Sequence, residues 1–395
     1  MHRELLIAAG PGEWRAALTE DGAAVELRVE RGQGGEAGSL YLGRIRRLLP
    51  ALGAALVDIG GDRPAFLPQS EILPRGRRLD EGERVIVQVR REAQGGKATR
   101  LTTALRDGRA GLGAERIAGR AERLDPPARL DPPATFAAAL AGTLPVVDRI
   151  LVDDPAAIPE IRAAFADAAV VHEPENRWPV DLEVLFDQAL SPTAALAGGG
   201  SVHVDAVRAA VLIDVDSGTP ETGSPERTAL AVNLAAAAII ARQLRLRSLG
   251  GAIVIDFVGL DDRAGRERVR ATLATALAAD PARPQLLGWT RLGHLELVRA
   301  RRLRPLAETL LEIAPDNGPA KTALTVAFEA LRALRREERA QPGWRRRLIV
   351  AADVAAAFDG DAAPAMRALE GRLGHGIAVA ADPSFARTRF EIVPL

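Results

Sequence analysis

Two short apolar runs in this chain each carry acid at their carboxyl ends. "VLIDVDSG" sets Asp214 and Asp216 two residues apart, and "AIVIDFV" sets Asp256 near its end. One helix-length segment separates the runs, the pattern of a strand, a crossover helix and a parallel strand. Such a unit places the two strands side by side or one apart in a sheet, with ligand sites beyond their carboxyl ends. Each run reads as a buried strand, where carboxylates are scarce and costly. Side chains at i and i+2 share a face, so Asp214 and Asp216 project together and Asp256 converges on them. The plain alternative for the first pair is a turn cap ahead of Ser217-Gly218-Thr219-Pro220. Three gathered carboxylates repel one another unless a cation sits among them. An oxygen-only set without His or Cys suits Mg²⁺ or Mn²⁺.

The 395 residues suit two to four domains, and 47% hydrophobic with 26% charged residues is a globular composition. Basic and acidic residues balance at 52 each, so no global field steers the chain to a polyanion or a membrane. Any nucleic-acid site must come from local Arg clusters. The absence of cysteine excludes disulfides, thiol catalysis and Cys-based zinc sites. His2, His172, His203, His294 and His375 show no metal-ligand spacing. The start "MHRELLIAAG" has too short an apolar run for a signal peptide, and no run of about 18 apolar residues is present. The expectation is a soluble, cytoplasmic protein.

Along the chain, "AAVELRVE" alternates as a strand after a turn at Asp21-Gly22. Five short strands follow the glycine-rich loop: "LYLGRIRRLL", "AALVDIG", "PAFLP", "RVIVQVRRE" and "ATRLTTAL". Their close spacing predicts a small Greek-key barrel of the OB type. Such barrels hold single-stranded nucleic acid by stacking on aromatics and by basic side chains. Tyr41, Phe66, Arg44, Arg46 and Lys97 are the candidates, the alternative being that both aromatics fill the barrel. Past the linker "LDPPARLDPPA", the pattern turns α/β. It includes a helix over 226–247 with Ser224 as its N-cap, a helix over 263–279 and the strand "QLLGWT". Arg242 and Arg245, on the helix between the acidic strands, are candidate phosphate contacts. The basic runs 299–304 and 345–347 are weaker ones. The last 70 or so residues read as a small α/β unit.

"AVLIDVDSG", "IARQLRLRSLGGAIVIDF" and "DPARPQLLGWTRLGHLELVRARR" strongly resemble the catalytic region of the ribonuclease E/G family. The barrel stretch "LYLGRIRRLLPALGAALVDIGGDRPAFLP" and the tail "RRLIVAADVAAAF" with "IAVAADPSFARTRFEIV" extend the resemblance over most of the chain. It implies a multi-domain α/β fold. Residues 1–36 and 108–200 form an RNase H-like domain interrupted by an OB-fold RNA-binding barrel at 37–107. A DNase I-like catalytic domain spans 201–312, a linker 313–326 and a small domain 327–395. The implied activity is magnesium-dependent endonucleolytic cleavage of single-stranded RNA, leaving 5′-phosphate and 3′-hydroxyl ends. Asp214 and Asp256 match the family's metal-binding aspartates. Phe66 matches an aromatic that stacks on RNA, and Lys97 a basic residue beside it.

Four departures accompany the resemblance. Asp216 stands where the family has Asn, exchanging a hydrogen-bond donor for an anion or a third metal ligand. Leu56 stands where the family's barrel presents a Phe. "LLEIAPDNGPAKTAL" falls at the family's zinc-link without a Cys, so no zinc is expected and any homo-oligomer is not zinc-bridged. The segment that reads a 5′-monophosphate has no counterpart between Arg120 and Val146, where the proline linker runs. No C-terminal scaffold for other proteins is expected. A second reading is an RNA-binding member whose nuclease centre has decayed. A third, another metal phosphoesterase such as a DNase, fits the carboxylates but leaves the barrel without a purpose.

Overall fold

The computed structural model describes residues 2–31, 38–61, 63–93, 98–105, 113–131, 135–218, 225–260, 262–314 and 318–395. Strands β1 (Arg3–Ala9), β2 (Glu13–Glu20) and β3 (Ala23–Arg31) come first. Next are β4 (Leu40–Leu49), β5 (Ala54–Asp58), β6 (Ala65–Pro68), β7 (Arg84–Arg91) and β8 (Arg100–Thr102). Helix α1 (Ala114–Glu122), β9 (Ala128–Arg129), α2 (Phe136–Ala141), β10 (Arg149–Val152), α3 (Ile158–Ala164), β11 (Ala169–His172) and α4 (Leu182–Leu190) follow. The middle of the chain carries β12 (Thr193–Ala195), β13 (Ser201–Ala206), β14 (Val211–Asp216), α5 (Pro225–Leu246), β15 (Gly251–Asp256), α6 (Arg263–Leu277), β16 (Gln285–Trp289) and β17 (Leu295–Arg299). The last elements are α7 (Leu306–Leu310), β18 (Leu311–Ile313), β19 (Pro319–Lys321), α8 (Ala323–Ala340), β20 (Arg346–Val350), α9 (Ala352–Asp359), α10 (Ala363–Leu373), β21 (Ala378–Ala381) and β22 (Phe390–Pro394).

Two compact units result: Met1–Val29, Val146–Pro159 and Asp167–Leu395 form one, Glu30–Pro145 and Glu160–Ala166 the other. The second unit holds the barrel. Its strands run β5-β6-β8-β7-β4, closed by the β4–β5 pairing, with β9 added beside β4. All five expected strands are present within a few residues. Tyr41, Ile45, Val57, Leu67 and Val87 fill the interior, and Leu40, Leu42 and Leu130 pack under α1.

In the first unit, one sheet runs β11-β10-β1-β2-β3, with β10 parallel to β1. Segments before and after the barrel therefore share a sheet. The expected Asp21-Gly22 turn joins β2 and β3 with positive φ of 48° and 83°, the backbone that a two-residue hairpin turn demands. Leu6, Ala17, Leu27 and Leu151 pack against Trp178, Leu182 and Phe186 on the α4 side. Helix α8 brings Arg332, 1% exposed, to Glu13 and Glu183, and Arg335 to Asp153. A second sheet, β21-β20-β22, packs with α8, α9 and α10 around Phe328, Leu331, Leu348 and Val354.

The sheet that carries the aspartates runs β12-β13-β14-β15-β17-β16, and only β14 and β15 are parallel. Strand β17, "LELVR", was not foreseen, because the basic run beside it obscured a short alternating strand. Helices α5 and α6 cover one face, where Ile213, Val215, Ile253 and Ile255 meet Ala237, Ile240, Leu244 and Leu273. Each large side chain buried there contributes about 1.5–3 kcal/mol. The burial of β14 alternates strictly, with Leu212, Asp214 and Asp216 exposed. The acidic strands are thus covered on one face only, and the carboxylates point away from the helices. The reading of each run as a buried strand therefore holds for one face only. The stretch Arg227–Leu246 of α5 is the one helical stretch among the described residues apolar and long enough to cross a membrane, and its apolar face lies on this sheet.

Candidate active site

Parallel register pairs Asp214 with Asp256 on the neighbouring strands β14 and β15. Strand spacing puts their Cα atoms about 4.8 Å apart, and both side chains are exposed. Asp256 is the last residue of β15, so the pair lies at the carboxyl end of this sheet's one parallel crossover. Asn233, on α5 and fully buried, holds the chain just beyond: its Nδ2 donates to Val258 O at 2.8 Å and its Oδ1 accepts from Val258 N at 3.0 Å. Phe257 packs its ring against Trp289, with centroids 5.9 Å apart.

Asp216 has a different environment. Its Oδ1 accepts from Gly218 N at 2.8 Å, forming the turn cap that the plain reading of "VDSG" proposes. Gly200 makes that turn possible: a Cβ there would meet Asp216 O at 2.4 Å, and its φ is +85°. Among the described residues no group of three or more His, Cys, Asp or Glu converges to hold a metal. A three-carboxylate site including Asp216 is therefore not assembled. Two carboxylates on adjacent strands remain, and that donor set fits Mg²⁺, which keeps several waters and takes one or two carboxylates.

Two histidines that sequence spacing set aside stand on the same face. His203 of β13 is the register partner of Asp214, and its ring bonds Ser201 Oγ at 2.9 Å and Thr193 Oγ1 at 3.1 Å. His294, in the turn before β17, brings Nε2 to 3.6 Å from Asp256 Oδ2. The signal for His203 was available: it alternates with buried Val202 and Val204, and so shares the face of the acids. Nothing local marked His294.

Helix α5 covers the opposite face, so Arg242 and Arg245 do not flank the acids as expected. Arg242 Nε donates to Ala24 O at 2.7 Å. Arg245, 6% exposed, bridges Glu20 at 2.9 Å and Glu26 at 3.1 Å. Burial alone would raise the Glu20 carboxyl, but Arg245 and Arg3 outweigh it and hold Glu20 below its usual value. Arg245 is a structural cation. In the run 299–304, Arg299 is buried on Asp280 at 2.7 Å, and Arg301 and Arg302 donate to Gly250 O and Pro281 O. In 345–347, Arg346 is buried and only Arg345 and Arg347 are exposed.

On the barrel, Tyr41 is 8% exposed and belongs to the interior beneath Arg129, 5.7 Å from its ring centroid. Its position corrects the stacking assignment, since a ring that fills the core offers no face to a base. Phe66 is half-buried on the outer surface, in register with Leu56 of β5 and Arg100 of β8. Leu56 in turn pairs with exposed Arg47 of β4. An aromatic with a Leu beside it and an Arg on each flank thus crosses four strands, and Arg47 and Arg100 were missed because the pairing is long-range. Arg44 donates to Gly82 O, and Arg46 is exposed but paired with Asp58. The Gly60 amide, together with Arg46, keeps the Asp58 carboxyl below its usual value. Lys97 and Ser224 lie outside the described residues.

A profile of the Ribonuclease E/G family matches residues 84–302, which include the barrel's last strands and the whole acidic sheet up to β17. The chain belongs to this family. Ribonuclease G of Escherichia coli K12 is 26% identical over 490 aligned positions that cover all of both chains. Ribonuclease G of Haemophilus influenzae is 26% identical over 83% of this chain and 86% of its own length. Ribonuclease E of the same organism is 27% identical along this entire chain, which spans 52% of that larger protein. The ribonuclease E/G match and the acid pair coincide: Asp214 and Asp256 both fall inside 84–302.

Proposed function

We propose that this member of the ribonuclease E/G family is a magnesium-dependent endoribonuclease that cuts single-stranded RNA, leaving 5′-phosphate and 3′-hydroxyl ends. It works in RNA processing or decay, rRNA included, in the cytoplasm. The observation that carries the reading is the register match of two exposed carboxylates, Asp214 and Asp256, on the parallel strand pair of the acidic sheet. They would hold Mg²⁺, with Mn²⁺ as a substitute, and no zinc is called for. When bound, the metal supplies Lewis-acid activation of water and neutralises charge on the scissile phosphate. Asp214 and Asp256 fix the cation at the sheet's open face, and Asp216 shapes the turn that ends β14. Phe66 offers its ring to a base while Arg47 and Arg100 take the flanking phosphates.

The domain reading follows the same family. The sheet of β1–β3, β10 and β11 is the RNase H-like domain, interrupted by the barrel. The acidic sheet is the DNase I-like catalytic domain. The small domain begins with α8, and any self-association proceeds without a zinc bridge. A weakened nuclease that chiefly binds RNA is the second reading. It is favoured by the lack, among the described residues, of any group of three or more His, Cys, Asp or Glu placed to hold a metal.

The deciding experiment incubates purified protein with labelled single-stranded RNA in Mg²⁺ or EDTA, alongside Asp214→Asn and Asp256→Asn. Internal cuts in Mg²⁺ only, reduced about a thousandfold or more in either variant with RNA binding retained, are expected. Full activity in the variants removes the metal site. RNA binding without any cleavage by the wild type selects the second reading.

A further inference from the structure

Helix α5 buries a run of Ala, Leu and Ile, and within it Asn233 is 0% exposed. A primary amide in such a setting costs several kcal/mol unless its hydrogen bonds are made. Both functions of the amide go to one residue, Val258: Nδ2 donates to its carbonyl at 2.8 Å and Oδ1 accepts from its N–H at 3.0 Å. That pair of hydrogen bonds mimics a strand partner for a residue beyond the end of β15, which stops at Asp256. The same short segment is fixed at two further points. Phe257 is buried against Trp289, and Arg266 Nε donates to Leu260 O at 2.7 Å while its guanidinium lies 5.6 Å from the Trp289 ring centroid.

We infer that Asn233 is a positioning residue for catalysis: reaching through from the covered side of the sheet, it locks the exit of β15 and so sets the aim of Asp256. Asp256 is two residues from the clamped peptide and lies on the exposed face, where no helix packs on its side chain. Among the described residues, the basic side chain that meets it is His294, whose Nε2 stands 3.6 Å from Asp256 Oδ2. The backbone must therefore supply the rigidity that packing does not. A carboxylate misaimed by about 1 Å costs a metal-assisted reaction about a hundredfold. This inference rests on the Asp214–Asp256 reading.

The test compares wild type, Asn233→Leu and Leu273→Ala, the last a cavity in buried α6 that loosens the same core away from the site. Three quantities are read well below every variant's Tm: kcat and KM on a single-stranded RNA, and Mn²⁺ affinity by electron paramagnetic resonance titration without RNA. Asn233→Leu is expected to lower kcat about a hundredfold with KM little changed, and to weaken Mn²⁺ binding about tenfold or more. Leu273→Ala is expected to lose Tm and leave all three near wild type. If Asn233→Leu does not fold, Asn233→Ser, too short to reach Val258, replaces it with the same expectations. Unchanged kcat and Mn²⁺ affinity in the folded variant, or equal losses in Leu273→Ala, overturn the inference. Asp256→Asn separates the two levels: if that variant keeps full Mn²⁺ affinity and cleavage, the metal reading itself has failed. If it loses both while Asn233→Leu loses neither, only the positioning role has.

Discussion

Glu183→Gln is the substitution whose consequence the structure specifies most fully. Glu183 accepts from Arg332 Nε at 2.8 Å and from Arg15 Nη1 at 2.7 Å, and both arginines are 1% exposed. Burial pushes the Glu183 carboxyl up, but the charges of Arg332 and Arg15 outweigh it and bring its pKa down to about 2 from 4.5. A folded pKa below the unfolded one stabilises the fold above the unfolded value, and that stability is lost as pH falls toward the folded value. A depression of that size corresponds to about 3 kcal/mol at neutral pH. It is almost fully present at pH 5, and roughly 2 kcal/mol of it is gone by pH 3. Glutamine keeps the shape and removes the charge, leaving buried guanidiniums short of a counter-ion at a cost of about 3–5 kcal/mol. Thermal unfolding of both proteins from pH 7 to pH 3 is the assay. Wild type should start well above the variant, and the gap should close by about 2 kcal/mol as pH falls from 5 to 3. A gap that stays constant over that range refutes the ion-pair account.

Three further outcomes are expected. Asp216→Asn keeps the acceptor for the Gly218 amide and removes an anion beside the phosphate, so the rate at saturating Mg²⁺ should rise by about fivefold or more, on the order of 1 kcal/mol. The Mg²⁺ midpoint should not move, and a higher midpoint in a magnesium titration makes Asp216 a ligand after all. Phe66→Ala should weaken binding of a short single-stranded RNA by about 1–3 kcal/mol in fluorescence anisotropy, with the Asp-dependent chemistry intact; an unchanged Kd removes the barrel face. Cleavage should be indifferent to a 5′-monophosphate, triphosphate or hydroxyl, and a monophosphate preference above about tenfold, or 1.4 kcal/mol, contradicts that.

Much of this protein was legible in one dimension because the signals are local. The alternation of β14, the crossover length to β15 and the close spacing of the barrel strands depend on residues a few positions apart, and the elements appear within a few residues of expectation. The carboxylate pair was legible for the same reason: a parallel crossover brings strand ends together whatever surrounds them. The tertiary structure decided which polar side chains remain available. Arg245 looked like a phosphate contact and is bonded to Glu20 and Glu26, more than two hundred residues upstream. Tyr41 looked like a stacking platform and fills a barrel that closes only when β4 meets β5. His294, Arg47 and Arg100 came to the exposed faces through pairings that no spacing encodes. The alternation of a strand fixes which residues share a face, but only the packing of the helices chooses the face that stays open, and only long-range partners determine which charges are already neutralised.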